Sequence, residues 1–344
     1  MQRIPVALVG LGRIASLLEG DPLREKPCTH AGAISANHEM VLVAGADQEP
    51  KARQVFAETW QCPVYAEAEK MLHVHAPQIL VIATHPDSHA YYCKMAAAYQ
   101  VPVVICEKPL ADTLYHARVI AALHRSAQIT ILTNHERRYG ADYSKAKAIL
   151  DAGQLGPLVS LKATLYMGKN RRILDVLWHD GTHLVDAAMF LSGSVMRHHR
   201  IWGANLNRRT GTAYLAGYLD PATPRGRERI RINRPPFLLE IGAERDHLVF
   251  ELEFSCTQGR LRIGNGIFEV WESRESPYAQ GFRSLRKTTD TFAGPTGYFA
   301  NMVKDAVACV RDPEHQPCSS ALDGLRVIQY LNAVRPWIRT RACR

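Results

Sequence analysis

The sequence predicts an α/β protein in two parts, a doubly wound parallel sheet followed by an α+β region built on a large open, mostly antiparallel sheet. Three observations predict it. The chain opens on a buried-type strand, Val6 to Val9, that runs straight into Gly10-Leu11-Gly12-Arg13-Ile14-Ala15. Strand and helix signals then alternate through roughly the first 150 residues, the pattern of a parallel sheet covered on both faces. Beyond Gly153 the rhythm changes to long alternating strands with few helices between them, which suits an antiparallel sheet with one buried face. A chain of 344 residues has room for about two domains. The division is expected at 1–135 and 136–344, with the last helix able to pack back on the first domain.

In order, the glycine turn leads into a helix expected to begin at Ser16-Leu17-Leu18, and an extended stretch from Glu19 to Asn37 follows. That stretch carries Asp21-Pro22, Lys26-Pro27 and the run His30-Ala31-Gly32-Ala33, and it can contact substrate or simply pack. Met40 to Ala46 reads as a buried strand closing on Asp47. A helix spans Lys51 to Thr59, a strand Ile79 to Thr84, and a helix about Ser88 to Gln100. Val103 to Cys106 is the next strand, ending at Glu107-Lys108-Pro109. Asp112 or Thr113 can cap a helix to about Ser126, and Ile129 to Thr133 is a further strand. After a helix from Tyr143 to Ala152 come strands at Leu158–Tyr166, Thr212–Leu219, Phe237–Ile241, His247–Phe254, Arg260–Ile263 and Ile267–Glu272. Helices are expected near Thr182–Leu191, Tyr298–Val310 and Ala321–Pro336.

Composition narrows the function. The balance of 42 basic against 33 acidic residues gives a net charge of +9, which welcomes anionic ligands. The basic residues are scattered apart from Arg208-Arg209 and Arg225 to Arg234, and no aromatic platform is interleaved with them, so no nucleic-acid partner is expected. Eight cysteines form no C-x-x-C pair and read as reduced thiols. No charged n-region precedes Ile4 and no apolar run approaches a membrane span, so a cytoplasmic protein with no membrane partner is expected.

In an open α/β sheet, ligands lie beyond the carboxyl ends of the strands, so the residues just past each strand are the candidates. Gly10, Leu11, Gly12, Arg13 and Ile14 form a G-x-G-x-x-A fingerprint in its proper strand–turn–helix context. Gly10 permits the tight turn, Gly12 lets a pyrophosphate approach the backbone, and Ala15 allows close packing. Asp47 is placed for an adenosine ribose, which favours NAD, while Arg13, Lys51 and Arg53 leave NADP open. Thr84 and His85 follow one strand; Glu107 and Lys108 follow the next, and Asn134 the one after. Lys108 can polarise a substrate oxygen or be a surface lysine paired with Glu107. The cluster Trp178-His179-Asp180-Gly181-Thr182-His183-Leu184-Val185-Asp186 offers acid/base chemistry or a metal site from His179, His183 and Asp186. With helical spacing from about residue 180, His179 and His183 share one side. No His-Glu-x-x-His frame is present, and no catalytic metal is expected.

Together these motifs resemble the glucose-fructose oxidoreductase, inositol dehydrogenase and MocA-type oxidoreductases, the Gfo/Idh/MocA family. The similarity runs through Gly10 to Ala15, the strand closing on Asp47, Ala83-Thr84-His85-Pro86 with His89, Glu107-Lys108-Pro109-Leu110, Gly153-Gln154-Leu155-Gly156, Gly181 to Asp186, and Asp323-Gly324-Leu325-Arg326. It implies an N-terminal Rossmann domain, bound NAD(P), and a homodimer or homotetramer formed through the C-terminal sheet. It further implies that Lys108 and His183 are catalytic, with hydride transfer to or from a secondary alcohol or ketone of a sugar, cyclitol or related polyol. Members commonly carry an aspartate four residues before that histidine, where this chain has His179 with Asp180 beside it; either would orient substrate. Arg171, Arg172 and the 225–234 segment hint at an acidic or phosphorylated substrate. Two other readings stand beside this one: an NAD-dependent glycosidase that oxidises transiently to permit elimination, and a nicotinamide-binding regulator without turnover.

Overall fold

The computed structural model describes residues 2–126, 129–169, 171–204, 211–221 and 234–341. Arg208, Arg209 and the arginines at 225, 227, 229 and 231 lie outside them. The described residues form two compact units: one comprises Met1–Ala141 with Pro295–Ile328, the other Asp142–Gly294 with Gln329–Arg344. Residues 295–328 therefore group with the first unit, not with the 136–344 domain expected from the sequence.

The first unit holds a six-stranded parallel sheet made of β1 (Ile4–Val9), β2 (Met40–Ala46), β3 (Val64–Tyr65), β4 (Ile79–Ile82), β5 (Val103–Cys106) and β6 (Thr130–Thr133), in the order β3-β2-β1-β4-β5-β6. This is the doubly wound order, with its switch point between β1 and β4. The central strands are apolar throughout because both faces are covered: Val6, Leu8, Val81 and Ile105 have no measurable exposure. The helices are α1 (His30–Ala36), α2 (Pro50–Trp60), α3 (Ala68–His75), α4 (His89–Ala98) and α5 (Leu114–Arg125). Thr113 caps α5, its hydroxyl accepting the His116 N–H at 3.2 Å.

The helix expected directly after the glycine turn is absent. Residues 12–16 form turns and Leu17–Gly20 a short 3₁₀ segment, and regular helix begins only at His30. The stretch between is held by its own acids. Glu19 Oε2 accepts the Thr29 hydroxyl at 2.7 Å and the Cys28 N–H at 3.1 Å, and the Thr29 hydroxyl in turn accepts the Gly32 N–H to start α1. The N–H groups of His30 and Ala31 reach back to the carbonyls of Ile14 and Ala15. One helix has thus been opened by an inserted loop and resumed.

In the second unit an eight-stranded sheet follows α6 (Ala141–Asp151). Its strands are β7 (Leu158–Tyr166), β8 (Ser194–Ala204), β9 (Gly211–Pro221), β10 (Pro236–Ala243), β11 (Val249–Cys256), β12 (Gly259–Gly264), β13 (Ile267–Glu275) and β14 (Arg283–Lys287). The order is β14-β13-β12-β11-β7-β10-β9-β8, antiparallel except where β10 runs parallel to β7. Leu161, Ala163, Leu165, Leu252 and Phe254 point into the core; β7 is followed by the single turn α7 (Ile173–Asp175) and by α8 (Gly181–Ser192), which packs on this sheet. The alternate residues carry charge, with Arg262 paired to Glu251 and Glu269. No described helix is long and apolar enough to cross a membrane.

The returning segment of the first unit carries α9 (Tyr298–Arg311) and the start of α10 (Ala321–Arg341). Glu25, in the inserted loop, anchors the residues that lead into α9: its carboxylate accepts the N–H groups of Thr296 at 2.8 Å and Gly297 at 2.7 Å, and the Thr296 hydroxyl at 3.0 Å. Burial alone would raise the Glu25 pKa, but these bonds outweigh it and lower the group below its ordinary 4.5. A lowered carboxyl stabilises the fold above its unfolded pKa and loses that contribution as pH falls through the folded value. Glu25→Gln is therefore expected to cost about 1 kcal/mol at neutral pH, and less near pH ~4. Urea unfolding of both proteins at the two pH values checks this; an equal cost at both would rule out a stabilising role for the charged carboxylate.

Candidate active site

The glycine turn is built by a close approach of two strands. Gly10 has φ +83°, and a Cβ there would lie 2.7 Å from the Ala83 carbonyl carbon and oxygen, so β1 and the end of β4 meet without side chains between them. Gly12 is the opposite case. Nothing lies within 4 Å of the position its Cβ would take, because that side of the turn faces an open cleft.

The cleft has a volume of about 710 Å³, within the usual range for small-molecule sites. It is lined by residues that follow successive strands, among them Gly10, Gly12, Arg13 and Ile14 after β1, Asp47 and Gln48 after β2, and Thr84 and His85 after β4. Both oxygens of Asp47 are oriented: Oδ2 accepts the Leu11 N–H at 2.8 Å and Oδ1 the Glu49 N–H at 2.9 Å. Each retains a lone pair for a ligand hydroxyl. Arg53, a residue that argued for NADP, instead donates to the carbonyls of Asp47 and Gln48 at 2.8 and 2.9 Å. Among the described residues, the cleft lining holds two acids, Asp47 and Asp87, and one arginine, Arg13. An uncovered glycine turn beside an anchored carboxylate fits a dinucleotide: Gly12 and its neighbours would hold the pyrophosphate, and Asp47 a ribose.

Five residues expected at the cofactor, Leu11, His89, Glu107, Lys108 and Asn134, do not line this cleft. Leu11 is buried in the core and contributes only its N–H to Asp47. His89 is fully buried, with ring nitrogens 3.2 Å from the Leu110 carbonyl and 3.1 Å from that of Thr84. It braces the two loops that follow β4 and β5, and burial lowers its pKa despite those carbonyls. Glu107 and Asn134 are buried against each other behind the β5 loop. Asn134 Nδ2 donates to Glu107 Oε1 at 2.6 Å, His30 Nε2 donates to the same oxygen at 2.7 Å, and the Lys108 N–H donates to Oε2 at 3.1 Å. Burial would push the Glu107 carboxyl up, but the His30 and Asn134 hydrogen bonds and the Lys108 charge hold it below its ordinary value. The His30 ring stands edge-on to Phe299, and its Nδ1 is buried without a hydrogen-bond partner among the described residues, which leaves the proton on Nε2.

Sequence reasoning does not reach His30: nothing local to the inserted stretch shows that its imidazole meets a carboxylate 77 residues away. Lys108 follows β5, and the Glu107 N–H bonds the carbonyl of Ile82, the residue before the cleft-lining Ala83. The peptide Lys108–Pro109 is cis.

In the second unit Val176–Asp180 form a π turn leading into α8. The 3.6-residue spacing that put His179 and His183 on one side does not hold across that junction. His179 is exposed, His183 half-buried, and Asp186 buried at 1 % exposure. The Thr182 hydroxyl bonds the His179 carbonyl at 2.7 Å. Asp180 is ion-paired with Arg171, and Arg172 with Asp175 at 2.6 Å, so both arginines read as anion ligands already face carboxylates. Arg234, from the other basic segment, pairs with Asp220 at 2.6 Å.

Residues 4–135 match the family model described as an oxidoreductase family with an NAD-binding Rossmann fold. The chain is similar to an inositol 2-dehydrogenase of Pseudomonas fluorescens, 29% identical over 118 residues, covering 34% of this chain and 35% of that protein. It is also similar to a D-apiose dehydrogenase of Rhizobium rhizogenes, 26% identical over 168 residues, or 45% and 47% of the two. The chain spans about a third to a half of the length of these curated relatives. The fold extends further: an oxidoreductase from Agrobacterium radiobacter, solved in complex with NAD+, L-tartaric acid and magnesium, superposes with a TM-score of 0.73 at 17% identity, covering 98% of this chain and 97% of that one.

The two glycines separate folding from binding. Gly12→Val is expected to leave the unfolding temperature unchanged and weaken NAD at least about tenfold, or ~1.4 kcal/mol. Gly10→Ala is expected to destabilise the fold itself by about 1–3 kcal/mol. Calorimetric titration and thermal unfolding of both variants check this; unaltered NAD affinity in Gly12→Val would move the cofactor out of the cleft.

Proposed function

We propose, from the membership of residues 4–135 in the Gfo/Idh/MocA oxidoreductases, that the protein is an NAD-dependent dehydrogenase interconverting a secondary alcohol and a ketone on a sugar, cyclitol or related polyol. The observation that carries the reading is the dinucleotide cleft at the β1/β4 switch point with Lys108 at the carboxyl end of the adjacent strand. The similarity to inositol and apiose dehydrogenases supports the substrate class.

When bound, the nicotinamide supplies a hydride acceptor or donor. Lys108 donates a hydrogen bond to the reacting oxygen and stabilises alkoxide character as it develops. Glu107 keeps a fixed negative charge behind that lysine, and its bond to the Lys108 N–H sets the loop. His183 takes the hydroxyl proton in the oxidative direction and returns it in the reductive one. His179 orients the substrate, since Asp180 is engaged by Arg171. A homo-oligomer assembled through the second sheet completes the proposal; Trp202, on the edge strand β8, is exposed and stacks on Tyr214 of the neighbouring β9.

The test is a panel of sugars and polyols with NAD, read by NADH absorbance. Lys108→Met and His183→Ala should each lower kcat by roughly 10²- to 10⁴-fold with NAD affinity little changed. Turnover within a factor of a few of the parent in either variant would take that residue out of the mechanism.

A further inference from the structure

A cluster of metal-ligating side chains lies within the first unit, outside the cleft. Asp305 and Cys309 stand four residues apart on α9, hence on one helical face, and the loop that follows brings back His315. One donor atom from each lies within 4.8 Å of the other two.

The carboxylate is prepared for a ligand's role. Asp305 Oδ2 accepts the Tyr139 hydroxyl at 3.1 Å and the Cys318 N–H at 2.9 Å, which fixes the carboxylate plane and turns Oδ1 toward His315 Nε2 at 2.7 Å. Metal-binding carboxylates are held in this way by outer hydrogen bonds. Cys309 is buried at 6 % exposure, whereas the His315 side chain is 35 % exposed, so the cluster has a dry floor and an open side through which an ion can enter.

We propose that Asp305, Cys309 and His315 form a binding site for a thiophilic divalent cation, zinc above all, that fastens the 312–318 loop to α9. A thiolate, an imidazole and a carboxylate are the donor set of zinc, and hard cations such as magnesium avoid it. Thiolate and carboxylate together cancel the dipositive charge, which lets the complex sit half-buried without a net charge. Zinc–ligand distances of about 2.0–2.3 Å put donors some 3.3–3.8 Å apart in a tetrahedron. Binding therefore parts His315 from Asp305 by roughly half an ångström, draws the thiol in, and leaves a fourth position for water. The site is independent of the proposed dehydrogenase chemistry.

The full chain, stripped with a chelator, is dialysed against zinc, cobalt or magnesium and its metal content measured. One zinc per chain, no retained magnesium, and a thiolate-to-cobalt charge-transfer absorption are expected. Cys309→Ser should abolish that absorption, whereas Cys62→Ser and Cys256→Ser should retain it. His315→Gln, at a half-exposed position the fold tolerates, should weaken zinc at least tenfold and serves if Cys309→Ser does not fold. No cobalt–thiolate absorption in the parent, its survival in Cys309→Ser, or unaltered zinc affinity in His315→Gln would overturn the proposal.

Discussion

The buried charge on Glu107 is the constraint around which the first unit is arranged. An isolated carboxylate in such a place would cost several kcal/mol. It is tolerated because the amide of Asn134, the imidazole of His30 and the N–H of Lys108 converge on its two oxygens. Each partner comes from a different segment: the end of β6, the first residue of α1, and the β5 loop itself. Satisfying one carboxylate therefore fixes the relative positions of three loops at the ligand-bearing edge of the sheet. His89, bonded to Thr84 and Leu110, ties the β4 loop to the same assembly.

This constraint explains the inserted loop. For α1 to present His30 to Glu107, the helix must resume at a fixed place after the interruption, and the loop is anchored at several points to ensure it. Glu19 holds Cys28 and Thr29, the carbonyls of Ile14 and Ala15 receive the resuming helix, and Glu25 reaches the start of α9. The sequence leaves open whether the stretch packs or contacts substrate. These bonds make it a structural element, while Leu18, at its near end, lines the cleft.

What was legible in the sequence divides along the range of the interactions involved. Strands β2 and β7 have the bounds their apolar patterns predict, and β1 starts only two residues earlier than its pattern, at Ile4, because alternation or continuous burial is a local signal. The short α3 and two-residue β3 passed unseen, being too brief to show a period. The edge strand β8 was missed because its register shifts between His198 and Arg200, which breaks the alternation midway. Cleft residues directly after a strand were found by position; His30 required knowledge of a partner far along the chain. Leu11, Glu107 and Asn134 follow strands, and His89 belongs to the motif the resemblance rests on, but their polar groups are turned to holding the loops together.

The first unit is discontinuous, with Asp142–Gly294 interposed before Pro295–Ile328 returns to it. The nascent chain consequently leaves the ribosome with a parallel sheet lacking its last partners: Thr133 waits for the carbonyls of Ser319 and Ser320, and Glu25 for the start of α9. At ~5–20 residues per second that interval is roughly ten to forty seconds. Synthesis order thus sets a late closing step, in which the cofactor-binding unit is sealed only after residues 295–328 have emerged.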